Sequence, residues 1–142
     1  MSGPSLHKLT AHKSIHDGAV SEGRDLLEIV EKLHQKGNKK QAKIAADALV
    51  EHWETRTITH ADAEEDGFYK SKLEENPEME LTLAMLKRDH ALLRILIADI
   101  KQSLSEQNNV NQEVIDRFRA IYVLVQIHNR DEEQLLLTND FS

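Results

Sequence analysis

Three short interruptions divide this chain into four long segments, and nothing else in the sequence breaks it. Gly37-Asn38 offers a glycine just past a helix end followed by a helix-capping asparagine, with Gln41 three residues on as a capping-box partner. Asn76-Pro77 offers a cap followed by proline at the first helical position. Residues 105–111 are polar and asparagine-rich, and Asn109 with Gln112 repeats the capping pattern. The segments left between them run over about 6–36, 39–74, 77–106 and 110–138. Each repeats apolar residues at helical spacing: Leu83, Leu86, His90, Leu93 and Ile97 in the third, Ile121, Leu124, His128 and Leu135 in the fourth. The second does so through Ala45, Leu49, Trp53, His60, Ala63, Gly67 and Phe68. With only 5 glycines and 2 prolines, the chain favours helix throughout. Short links between long helices make neighbours antiparallel. The expected fold is all-α, an up-down-up-down antiparallel four-helix bundle forming a single domain over 1–142.

The composition removes whole classes of function. There are no cysteines, so disulfides, zinc ribbons, iron–sulfur clusters and thiol catalysis are excluded. A net charge of -7 with no Lys/Arg run argues against nucleic acid and anionic membranes as partners. The most apolar stretch, 91–100, is broken by Arg94 and Asp99, too short and too charged for a membrane span. The opening residues Met-Ser-Gly-Pro-Ser begin no apolar run of signal-peptide length, and the expectation is a soluble cytoplasmic protein.

Against that background the histidines stand out by register. In an antiparallel hairpin, residues equidistant from the turn share a height. His16 and His60 each lie about 22 residues from the first turn, His60 and His90 about 15 from the second, and His90 and His128 about 19 from the third. Four histidines thus fall in one layer. Two carry a glutamate one turn on, His60 with Glu64 and His128 with Glu132. His7, His34 and His52 fit the layer less well, and His12, one turn before His16 on the same face, competes with it for the first-helix position. Buried imidazoles and carboxylates at one level are unfavourable unless something pairs them, and a divalent cation does so.

Imidazole and carboxylate without sulfur suit iron, manganese or zinc. Two glutamates on opposite helices can each bridge two ions, and four imidazoles divide as two per ion, leaving room for an oxide or hydroxide and an exogenous ligand. Such a pair suits dioxygen, peroxide or nitric oxide. Trp53 and Phe118 read as core packing, and Tyr69 and Tyr122 as packing or pocket-lining residues. Glu65 and Glu133 rotate about 100° off the inward face, so they are expected in solvent. Asp89 and Asp131 each adjoin a candidate ligand and could hold an imidazole N–H across the bundle, but surface charge is the expectation for both. Arg94 is expected as a side chain snorkelling out past Leu93 and Ile97 rather than a cation at the open site.

The order His16, His60-Ala-Asp-Ala-Glu64, His90, His128-Asn-Arg-Asp-Glu132 resembles the hemerythrin-like, or HHE cation-binding, domain. The flanking runs Glu65-Asp66-x-Phe68-Tyr69, Leu86-Lys-Arg-Asp-His90 and Glu133-x-Leu135 resemble it as well, so the likeness covers essentially the whole chain. It implies a pair of non-heme irons with Glu64 and Glu132 bridging and His16, His60, His90 and His128 as terminal ligands. Oxygen-carrying hemerythrins have a second third-helix histidine where this chain has Arg94, and an aspartate at a different spacing on the fourth helix. The resemblance therefore implies peroxide or nitric oxide chemistry, with a peroxidase- or catalase-type activity as one form, more than reversible oxygen carriage. A sensor of iron or oxygen working through a protein partner, an iron-handling protein, and a metal-free structural bundle are the alternatives.

Overall fold

The computed structural model describes residues 9–137 and is helical almost throughout. The first rod is α1, Leu9–Gln35. The second runs over 39–75 as three α-helical stretches, α2 Lys39–Trp53, α3 Thr59–Ala63 and α4 Tyr69–Glu75, joined by π turns at Glu54–Ile58 and Glu64–Phe68. Backbone angles stay right-handed at every junction, so this rod is widened but not broken. The third begins with a 3₁₀ turn, Pro77–Met79, and continues as α5, Glu80–Gln107. The fourth is α6, Gln112–Glu132, extended by a π turn at Glu133–Leu137.

The interruptions fall where the sequence places them, with local differences. Gly37 takes φ +72°, the left-handed conformation that glycine enters without a Cβ penalty. Asn38 does not cap the backbone; its Nδ2 donates instead to Gln41 Oε1 at 2.8 Å. Asn76 does cap, accepting from the Glu78 N–H at 3.2 Å with Pro77 behind it. The fourth-rod cap is Asn111 rather than Asn109, accepting from the Val114 N–H at 2.9 Å, so α6 starts two residues later than expected. The expected segments otherwise differ by a residue at their ends, and residues 6–8 and 138, like His7, lie outside the described residues.

Adjacent rods meet in opposite sequence order. His12 meets His60 and Ala19 meets His52; Glu65 meets His90 and Glu54 meets Lys101. Asp89 meets His128 and Asp99 meets Arg117, while Glu133 returns to His16 and Arg119 to Glu31. Two apolar clusters fill the bundle. The larger gathers Val30, Leu49, Trp53, Ile100, Val114, Phe118 and Ile121 toward the end that holds the first and third turns. The smaller packs Phe68, Tyr69, Leu83, Leu86, Leu136 and Leu137 at the other end. Each fully buried side chain of this kind contributes about 1.5–3 kcal/mol. Gly23 faces Trp53, and a Cβ there would run into the indole ring, so its missing side chain is what lets Trp53 approach α1 closely. Leu135 is exposed at 43% while Leu136 and Leu137 are buried, because the terminal π turn shifts the inward face by a residue. No helix among the described residues is long and apolar enough to cross a membrane.

Candidate metal centre

Between the two apolar clusters lies a polar layer: His12, His16, His90, His128, Glu64 and Glu132 are all buried, and His60 is half-buried. Their donor atoms converge in two groups. His12, His16, His60, Glu64 and Glu132 form one; His90, His128, Glu64 and Glu132 form the other, with one donor atom of every member within 4.8 Å of the rest. The glutamates belong to both, and each divides its oxygens between them. Glu64 Oε2 lies 3.0 Å from His12 Nε2 and 3.4 Å from His60 Nε2, while its Oε1 lies 3.5 Å from His90 Nε2. Glu132 Oε1 lies 2.6 Å from His12 Nε2 and 3.3 Å from His16 Nε2, while its Oε2 lies 3.3 Å from His128 Nε2. The structure thus brings together all six residues expected from the sequence and adds His12. His12 and His16 do not compete: one helical turn apart, both reach the same group, which makes five imidazoles divided three and two rather than two and two.

Carboxylates behind the layer fix the rings. His90 Nδ1–H donates to Glu65 at 2.6 Å, His16 Nδ1–H to Glu133 at 2.8 Å, and His128 Nδ1–H to Asp89 at 2.8 Å. These correct the expectation of solvent for Glu65, Glu133 and Asp89. At Glu65 the helix is also widened: the Tyr69 N–H bonds back to Glu64 O, five residues earlier. Asp131 does stay on the surface, paired with Arg130. Arg94 leaves the core as expected, but it ends on the second rod, donating to Asp62 at 2.6 Å and to Glu65 at 3.1 Å. Tyr69 is buried, donates its hydroxyl to Glu132 and stacks on the His90 ring, centroids 5.6 Å apart and planes within 7°. Tyr122 packs against the larger apolar cluster, as Trp53 and Phe118 do.

A proton on Nδ1 leaves the lone pair of a neutral imidazole on Nε2, pointing inward. The Nε2 atoms of His90 and His128 stand 3.1 Å apart, and those of His12 and His60 3.3 Å. Buried Glu64 Oε2 has no hydrogen-bond partner of acceptable geometry despite its nearness to two of them. Converging lone pairs and an orphaned carboxylate oxygen are what a cation satisfies. Without one, protons must do so. Burial disfavours the charged forms of His12 and His128 and is the largest single influence on each; the carboxylates outweigh it (Glu132 and Glu64 for His12, Asp89 with Glu132 for His128), raising both to about 10. Burial likewise pushes Glu64 and Glu132 up, yet the surrounding imidazoles hold both below the usual carboxylate range. Burial, then the charges of Glu132 and Glu64, push the Tyr69 phenol upward, so it stays a donor.

A profile of the hemerythrin HHE cation binding domain matches residues 9–138. The chain belongs to the hemerythrin HHE cation-binding family. No curated protein and no solved structure matches it. Family membership and the His/Glu cluster together point to metal binding. Beside the cluster is a cavity of about 20 Å³, room for a water-sized molecule, lined by His16, His60, Glu64, His90 and His128 and by the apolar Ile15, Ala19, Leu93 and Val125. In this HHE chain His52 plays a different part: its Nε2–H donates to Ala19 O at 2.8 Å and ties the second rod to α1.

Proposed function

We propose that the chain is a non-heme di-iron protein, a single up-down-up-down antiparallel four-helix domain of the cytoplasm that binds or reduces a small oxidant: dioxygen, peroxide or nitric oxide. The observation that carries this reading is the division of each glutamate's two oxygens between the two histidine groups. A carboxylate that faces one set of imidazoles with Oε1 and another with Oε2 is built to bridge two ions. The opposite sequence order of every adjacent pair of rods supports the topology.

His12, His16 and His60 would hold one ion and His90 and His128 the other, with Glu64 and Glu132 shared. The same donors suit manganese or zinc. Bound there, an iron pair supplies a Lewis acid and electrons for a small oxidant. The rest of the work belongs to this chain's own side chains. Glu65, Glu133 and Asp89 hold protons on Nδ1 and so keep Nε2 free to donate. Tyr69 holds its proton toward Glu132 and steadies that carboxylate. Ile15, Ala19, Leu93 and Val125 add apolar surface to the cavity and limit its water. The two-histidine group carries one imidazole fewer, which leaves room for an exogenous ligand.

The test is reaction of the iron-loaded protein with peroxide and with nitric oxide, beside Glu64→Ala. The wild-type protein is expected to consume peroxide or bind nitric oxide, and Glu64→Ala to retain fewer than two irons and lose the reaction. Unchanged iron content and reactivity in Glu64→Ala would overturn the assignment.

A further inference from the structure

Arg56 lines the same cavity from outside the histidine layer. It stands in the π turn Glu54–Ile58, one turn before His60. Its guanidinium reaches across α1: Nη1 donates to Glu22 Oε2 at 2.7 Å, and Nη2 passes over Gly18, where a Cβ would be 3.5 Å away. The side chains of Arg56 and Glu22 are 42% and 54% exposed, so the pair sits where the cavity meets solvent. Among the described residues that line the cavity, Arg56 is the one whose side chain is cationic at every working pH.

An exposed ion pair of this kind is held weakly, so exchange of Glu22 for another anion is nearly neutral. A guanidinium bond to an anion within the cavity wall is less screened and charge-assisted. We propose that Arg56 is the anion-selecting residue of this cavity: it exchanges Glu22 for a small monoanion of two or three heavy atoms, of the azide, nitrite or hydroperoxide class. A neutral diatomic gains nothing from it. The cationic side chain where the cavity meets solvent sets the preferred charge of the ligand. The inference rests on the di-iron reading, because the metal pair holds the anion's other end.

The experiment loads wild type, Arg56→Met, Arg56→Lys and Glu22→Gln with iron and counts the metal. Each oxidised protein is then titrated with azide by its charge-transfer absorption, and each reduced protein with nitric oxide. Arg56→Met is expected to weaken azide about tenfold or more, Arg56→Lys to recover part of the loss, and Glu22→Gln to tighten azide. Nitric oxide affinity is expected to change less than about twofold in all of them, as a neutral ligand makes no ion pair. Azide affinity unchanged in Arg56→Met overturns the proposal. So does an equal loss for azide and nitric oxide, which marks a general disturbance of the cavity. Wild type that holds two irons yet binds no azide overturns this inference alone; wild type that takes up no iron overturns the di-iron reading with it.

Discussion

Three of the inward imidazoles in this layer, His16, His90 and His128, each have ring and proton fixed by a single carboxylate. Glu65 grips His90, and Arg94 in turn holds Glu65. Partners of this kind raise the basicity of the ring they hold. Glu65→Ala should therefore weaken metal affinity about 10–100-fold while the fold survives, measurable by competition with a chromophoric chelator. Tyr69→Phe removes the hydroxyl that Glu132 accepts from, a bond to a buried charge worth about 1.5–3 kcal/mol. That variant should keep its iron count but unfold at lower denaturant; an unchanged midpoint would show the hydroxyl to be dispensable. The register of His16, His60, His90 and His128 and the spacing of Glu64 and Glu132 were legible because both follow from counting along straight helices. His12 was visible only as a rival to His16, since counting cannot tell one ligand per helix from two on the same face. Glu65 and Glu133 were misassigned to solvent because a rotation of about 100° per residue says nothing of how far a long side chain reaches. From the flank of the inward face each carboxylate meets an imidazole on a neighbouring rod.

At the scale of the element, three π turns adjoin this layer. The Thr59 N–H reaches back to Glu54 O and the Tyr69 N–H to Glu64 O, each five residues earlier. One turn carries Arg56 and Thr57 on the cavity wall, another carries Glu64 and Glu65, and the third begins at Glu133 beside Glu132. Deleting Gly67 should let the second of these close into ordinary helix and rotate Glu64 or Glu65 out of place. Helical circular dichroism should be retained and iron uptake lost; retention of two irons would show that the widening is incidental. Gly23→Ala addresses the opposite kind of site, where the helix is regular and the contact is close. Its methyl would press on Trp53, which should destabilise the bundle by about 1–3 kcal/mol through overpacking and leave the iron count alone. The four segments and their breaks were readable because glycine, proline and asparagine carry strong local signals. The π turns carry no comparable signature, and with them went the inward position of Leu136 and Leu137 in place of Leu135.

Across the whole molecule, two apolar clusters bracket a layer of buried titratable groups, so the metal-free fold must be sensitive to pH. His12 and His128 titrate near 10 when folded against a reference of 6.5. Their pairing with carboxylates, Glu132 and Glu64 for His12 and Asp89 with Glu132 for His128, is therefore fully present below pH 6.5 and fades as the pH rises toward 10. Glu132, held well below its reference of 4.5, contributes above that value and fades as the pH falls below it. The chelated protein should thus melt highest between these limits, and bound metal should raise and flatten the profile, as calorimetry across pH would register. The most direct test of the central claim is the metal content and optical spectrum of the protein purified from iron-supplemented cells. The account predicts about two irons per chain, as two ions sharing two carboxylates require, with the near-ultraviolet absorption of a bridged pair. No metal on isolation and no uptake on anaerobic reconstitution with ferrous iron would contradict it.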